Sequence, residues 1–177
     1  MKLLEGKNIR LRVREKEDLP MLTEWFNNPE FIGGEYQPSP QRSRAEMEKM
    51  LEGVPFPPKV FIIEKNDGTK IGYIGCGKTT CHEIGYSIAP SERSKGYCTE
   101  AIKIMVDYMF LSEQIVRIQA QTDVRNIASQ KALDKAGFKK EGIVRKLIFI
   151  RGKWRDEYLY SILREEWKEP KILTKIA

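Results

Sequence analysis

A mixed α/β fold of the α+β kind, with a twisted, mostly antiparallel sheet of about seven strands and flanking helices, is what this sequence predicts. Three observations carry the prediction. Short apolar runs with a strand period recur along the chain. Asn66-Asp67-Gly68-Thr69 and Arg151-Gly152-Lys153-Trp154 supply hairpin turns between such runs. Thr99 to Phe110 repeats its apolar residues at helical spacing.

Taken in order, Ile9 to Val13 alternates apolar and basic residues, as a half-buried strand does. Asp18-Leu19-Pro20 opens a helix through Trp25, since proline is tolerated where the first helical N–H groups have no partner. Asn27-Asn28-Pro29 ends it, and Gly33-Gly34 with Pro38-Ser39-Pro40 reads as a loop. A short helix follows, with Ser43 and Glu46 spaced as a capping box. The prolines between Val54 and Pro58 break it, and Val60 to Ile63 reads as a strand buried on both faces. Lys70 to Lys78 and Glu83 to Ala89 are neighbouring antiparallel strands, because the interval between them is too short for a helix. Ile102, Met105, Val106, Met109 and Phe110, with Glu100, Lys103 and Asp107 opposite, mark the clearest amphipathic helix. A strand from Ile115 to Thr122 and a helix from Asn126 to Ala136 follow, the helix stopped by Gly137 at the left-handed cap position. Ile143 to Ile150 and Arg155 to Leu163 then form a long hairpin.

Composition bounds the function. The chain has 177 residues, 41% hydrophobic and 32% charged, which fits a single domain spanning 1–177 with its own core. No run approaches the ~20 apolar residues of a membrane span, and Met1 to Lys7 lacks the apolar core of a signal peptide, so the cytoplasm is the expected compartment and no membrane partner is expected. Cys76, Cys81 and Cys98 form no CxxC pair and His82 is the only histidine, which argues against a metal site, an HExxH zinc site or a Ser-His-Asp triad. The formal charge of +6 suits a polyanionic ligand, a nucleic acid or simply a soluble surface.

One segment carries chemistry. Glu83 to Pro90 is a strand, and Ser91 to Cys98 is the loop that delivers the chain into the amphipathic helix. A helix N-terminus offers unpaired N–H groups and a positive dipole end, Gly96 lets backbone approach an anion, and Arg93 and Lys95 add charge. A basic loop that merely caps a helix is the other reading of the same residues.

The run Arg93-Ser94-Lys95-Gly96-Tyr97-Cys98 resembles the (Arg/Gln)-x-x-Gly-x-(Gly/Ala) cofactor loop of the GNAT acetyltransferases. It departs at Cys98, a small residue where the family uses a backbone N–H. Thr99-Glu100-Ala101 is also similar to the family, as is Asn126-Ile127-Ala128-Ser129 leading to Gly137-Phe138. Trp25 to Glu30 and Tyr160 to Trp167 resemble the branch that holds the ribosomal-protein N-terminal acetyltransferases. The resemblance implies a sheet splayed between its fourth and fifth strands, with acetyl-CoA as cosubstrate and no metal. Its pantetheine would lie in the splay against backbone near Ile88, its pyrophosphate on Arg93, Ser94, Lys95, Gly96, Tyr97, Cys98 and Thr99, with Asn126 toward the pantetheine arm. The partner implied is an amine acceptor, first an N-terminal α-amine of a peptide or protein and alternatively a polyamine, aminoglycoside or amino acid. An oligomer is compatible with the sequence, and nucleic acid is not expected.

Amine attack on a thioester needs a proton acceptor and an acid for the departing thiolate. Glu83 matches the strand on which several GNAT members carry a general-base glutamate and shares a face with Gly85, Ser87 and Ala89; a surface carboxylate at a strand start is the alternative. Ser129 matches the serine that the ribosomal-protein branch is thought to use as acid, and a first-turn serine also commonly just bonds backbone. Two positions depart from the family: Ile148 stands where the branch has a sixth-strand glutamate, and Leu133 where many members have a tyrosine. His82 reads as solvated surface at a strand edge, and Cys98 as a backbone contact rather than an acyl-carrying nucleophile, so transfer is expected to be direct.

Gly72 to Thr79 also satisfies G-x-x-x-x-G-K-[ST], which would make a P-loop nucleotide-binding protein. Its context is wrong, because no helix can open at Lys78-Thr79 with a new strand beginning at Glu83. A noncatalytic basic module for RNA is permitted by charge but lacks interleaved aromatic residues.

Overall fold

The computed structural model describes residues 4–38, 41–52, 59–78 and 81–167. The expected breaks at Ser39-Pro40 and at Val54 to Pro58, and Thr79 of the P-loop pattern, lie outside these residues.

Seven strands form one sheet: β1 (Ile9–Val13), β2 (Lys59–Lys65), β3 (Lys70–Lys78), β4 (His82–Ile88), β5 (Arg117–Asp123), β6 (Lys139–Ile150) and β7 (Lys153–Leu163), in the order β1-β2-β3-β4-β5-β7-β6. The helices are α1 (Leu19–Asn27), α2 (Pro29–Ile32), α3 (Arg44–Glu52), α4 (Tyr97–Ser112) and α5 (Ile127–Ala136). The P-loop reading ends here: Gly72 to Lys78 lies inside β3, hydrogen-bonded antiparallel to both β2 and β4, so no phosphate-cradling loop exists there.

All neighbouring strands run antiparallel except β4 and β5. That parallel pair holds only His82 against Ile118 and Glu83 against Gln119. Past it β4 stays with β3, while β5 continues on β7 as far as the Asp123–Glu157 pair. The sheet therefore opens between β4 and β5, and one edge of β4 is left without a ladder partner from the sheet.

Alternation sorts the strand side chains onto two faces. Ile74, Cys76, Ile84, Ile88, Ile118, Ala120, Tyr160 and Ile162 pack in one core with Ile102, Met105 and Val106 of α4 and Leu133 of α5. Each such buried aliphatic side chain contributes roughly 1.5–3 kcal/mol. The opposite face carries Tyr73, Gly75, Gly77, Glu83, Gly85, Ser87, Gln119, Asp123, Glu157 and Ser161, by the strand registers. Its β2–β3 end is covered by a second core, where Leu19, Leu22, Met47 and Leu51 meet Ile62 and Trp25, Phe26 and Tyr73 pack alongside.

Local chemistry explains the boundaries. Asn28 does more than end α1: its side chain accepts from the N–H groups of Glu30 (3.0 Å) and Phe31 (3.3 Å), so Pro29 opens α2 directly. Ser43 and Glu46 bond reciprocally, as the capping box requires. The β6–β7 turn is tighter than expected, with Arg151 (φ 47°) and Gly152 (φ 78°) as its two left-handed residues. Asp107 is a correction to the expected polar stripe of α4. It is fully buried and accepts from the Trp167 indole at 2.7 Å, a partner 60 residues away that helical spacing cannot foresee.

Candidate active site

The loop from Pro90 to Gly96 turns through Ser94 (φ 63°) and Gly96 (φ 87°) into α4. No side chain caps this 16-residue helix, so its first N–H groups are available to an anion. A Cβ on Gly96 would meet nothing within 4 Å, which makes its left-handed backbone, rather than crowding, the reason for glycine. These features fit a pyrophosphate group, and Tyr97, Cys98 and Thr99 would hold it through backbone.

Arg93 plays a different part from a charge projecting over the helix end. Its Nε donates to the Ile88 carbonyl at 3.0 Å, and its terminal nitrogen donates to the carbonyls of Glu30 and Phe31 (3.2 Å to the latter). The guanidinium thus satisfies α2 carbonyls and ties α2 and the end of β4 to the loop. Lys95 pairs with Glu92 at 3.0 Å. Burial pushes the Cys98 thiol up to about 12, so it is a poor nucleophile at neutral pH.

At the start of α5 the Asn126 side chain accepts from Ser129 N–H at 3.1 Å, acting as the N-cap. The Ser129 hydroxyl lies 2.9 Å from the Tyr86 hydroxyl of β4. Burial holds the Tyr86 phenol protonated well above its usual range. Two hydroxyls from opposite sides of the opening are therefore joined. Tyr86 was missed from sequence because alternation alone makes it another core aromatic. Leu133, where many family members carry a tyrosine, is fully buried in the core.

On the other face Glu83 accepts from Gln119 Nε2 at 2.7 Å, where β4 and β5 begin to part. A cleft of about 210 Å³ adjoins it, lined by Gly77, Glu83, Ile84 and Gly85. A Cβ at Gly77 or Gly85 would meet nothing within 4 Å, so the floor is open. Across the opening stand Asp123 and Glu157, paired across β5 and β7. Asp123 is fully buried and held ionised by Arg125, whose nitrogens bond it at 2.7 and 2.8 Å. Arg125 also reaches Glu35 at 3.1 Å and lies 5.4 Å from the Tyr36 ring, which ties the Gly34–Tyr36 turn beside this wall. Glu157 is 4% exposed. Desolvation, and then the charges of Asp123 and Glu83, push its carboxyl up to about 7. Sequence reading passed over Gln119, Asp123 and Glu157; the signal was strand alternation in a run, Arg155-Asp156-Glu157, that looks like solvated charge.

His82 corrects the surface expectation. Its side chain is 13% exposed and packs 3.3 Å from Glu113, which also pairs with Lys59. Among the described residues no cluster of His, Cys, Asp and Glu could hold a metal ion.

Comparison with known proteins agrees with this geometry. A family model described as an acetyltransferase (GNAT) domain matches residues 8–139. The probable N-acetyltransferase YjcK of Bacillus subtilis is 42% identical over 83 residues, which is 47% of this chain and 46% of that protein, so the match spans about half of that relative. The uncharacterized N-acetyltransferase p20 of Bacillus licheniformis is 30% identical over 178 residues, covering 94% of this chain and 99% of that one. The [ribosomal protein uS5]-alanine N-acetyltransferase of Escherichia coli is 34% identical over 84 residues, 48% of this chain and 43% of its own. In fold the chain is similar to spermidine N-acetyltransferase from Vibrio cholerae in complex with CoA and spermine, with a TM-score of 0.81 at 22% identity, covering 91% of this chain and 98% of that one. An uncapped helix behind a left-handed glycine, a sheet opened between β4 and β5, and a family match over most of the length converge: the chain belongs to the GNAT acetyltransferase family, enzymes that take acetyl from acetyl-CoA.

Proposed function

We propose that this enzyme acetylates a free N-terminal α-amine of a peptide or protein by direct attack of the amine on the acetyl thioester. The observation that carries the reading is the position of Glu83, fixed by Gln119 at the mouth of a cleft whose floor is the bare backbone of Gly77 and Gly85. An extended peptide end can lie on such a floor with its ammonium against the carboxylate. An α-amine, with a pKa near 7.7–8.0 against about 10.4 for lysine, is neutral often enough at physiological pH to need only a weak base. The likeness to the uS5-alanine acetyltransferase supports the same acceptor class.

On the donor side, the exposed β4 edge and the α4 N-terminus would hold the cosubstrate through backbone. The Tyr86–Ser129 hydroxyl pair, 2.9 Å apart, is our candidate proton source for the leaving thiolate. The thioester supplies the acetyl group. Cys98, partly buried and held protonated, is given no part as an acyl carrier.

Small polyamines are the second reading, favoured by the acidic groups Glu83, Asp123 and Glu157, which lie close enough to act on one another, with Glu35 tied to Arg125 beside Asp123. A panel of peptides with free and blocked N-termini, polyamines and aminoglycosides, assayed for coenzyme A release between about pH 6 and 9, separates them. Turnover that requires a free peptide N-terminus is expected. Turnover confined to polyamines or aminoglycosides would refute the peptide assignment.

A further inference from the structure

Three strands, β4, β5 and β7, bring Glu83, Asp123 and Glu157 to one face of the sheet, with Glu35 of the Gly34–Tyr36 turn beside them, and one of these groups has no job in the fold. Glu83 has Gln119 as a fixed donor. Asp123 has Arg125. Glu35 has Arg125 as well. Glu157 is buried to 4% exposure, yet among the described residues it makes no hydrogen bond or ion pair. A carboxyl in that position costs stability and contributes none.

Its surroundings are specific. Glu157 stands on β7 opposite Asp123 of β5 and Val144 of β6. Arg155 precedes it by two residues, and the positive field of Arg155 acts on Asp123. The charge of Glu83 on β4 reaches Glu157 across the opening, although no strand ladder connects them at that level. The groups facing it are thus two carboxylates, one of them neutralised by Arg125, with Arg155 nearby. An arriving ammonium supplies the partner that Glu157 lacks.

We propose that Glu157 is the proton acceptor for the amine, directly or through one ordered water, while Glu83 receives and orients the ammonium. This rests on amine acetylation as the reaction and not on which amine is used. The step balances simply. The ammonium gives one proton to the ionised Glu157 carboxylate, leaving a neutral amine and a carboxylic acid that returns its proton to solvent; the amine lone pair then forms the new C–N bond at the acetyl carbon, the C–S bond breaks with its electron pair going to sulfur, and the second proton lost from nitrogen ends on the departing thiolate to give the free thiol. The gatekeeping distinction between the two carboxylates is their donors. Gln119 donates to Glu83, whereas among the described residues nothing donates to Glu157, whose carboxyl, pushed up to about 7, can bind and release a proton at working pH.

Two measurements on the full chain test this. The first is carboxyl-carbon NMR of protein with labelled glutamate, titrated from pH 5 to 9. One resonance is expected to titrate near pH 7, to be lost in Glu157→Gln, and to move to lower pH in Glu83→Gln because a like charge is gone. The second is the pH profile of kcat with the best acceptor of the panel. Glu157→Gln is expected to lower kcat ~10²-fold or more, within the range of general-base effects, and to leave acetyl-CoA affinity unchanged. Glu157→Asp should recover part of the loss. Wild-type kcat and profile in Glu157→Gln would overturn the proposal, as would an NMR titration with no glutamate near neutrality. If no acceptor of any class were turned over by the wild type, the failure would belong to the acceptor assignment, and the NMR titration would still decide the fate of Glu157.

Discussion

The loop that follows β4 and the wall at the Asp123–Glu157 pair of β5 and β7 are built in opposite ways. The loop is exposed, contiguous in sequence, and presents backbone groups around Gly96. The wall is buried, assembled from β4, β5 and β7, and works through side-chain charge. A backbone site tolerates change at most of its side chains, whereas a buried charge site is sensitive to each one, since every member sets the field of the others.

The sharpest way to probe that contrast is Glu83→Gln. We expect kcat to fall ~10²-fold because the amine is no longer oriented, with acetyl-CoA affinity preserved, measured by coenzyme A release and calorimetry. Full activity would show that Glu83 does not orient the amine. Next is stability. The Glu157 carboxyl titrates at about 7 in the folded chain against 4.5 ordinarily. Between those values the native state holds the proton and the unfolded state does not, so stability falls as pH rises through that window. Glu157→Gln should therefore remove a loss on the order of 3 kcal/mol between pH 5 and pH 8, read by urea unfolding at both. An unchanged pH dependence would mean that Glu157 is not a strained carboxyl.

On the loop side, the double variant Arg93→Ala, Lys95→Ala should weaken acetyl-CoA binding by roughly tenfold, chiefly because Arg93 no longer anchors the loop to Ile88 and α2. Unaltered affinity by calorimetry would leave the α4 N-terminus as the sole anion seat. The smallest effect is expected from Tyr86→Phe, which removes one partner of Ser129 and should cost about 1 kcal/mol of stability. Its kcat, compared with that of Ser129→Ala, tells whether the two hydroxyls act as one unit.

Strand periodicity, the capping pair Ser43 and Glu46, the left-handed stop at Gly137 and the loop through Gly96 are all properties of neighbours within a few residues, and the amino-acid order alone was enough to establish them. Long-range partners were another matter. Burial of His82 against Glu113, the Asp107–Trp167 bond, the Tyr86–Ser129 pair and the approach of Glu157 to Glu83 join residues from 31 to 74 positions apart. Periodicity assigns each of them a face but not a neighbour. Those partners depend on where β5 leaves β4 and how β7 is inserted beside it, a balance of packing summed over the whole sheet that no local pattern of residues encodes.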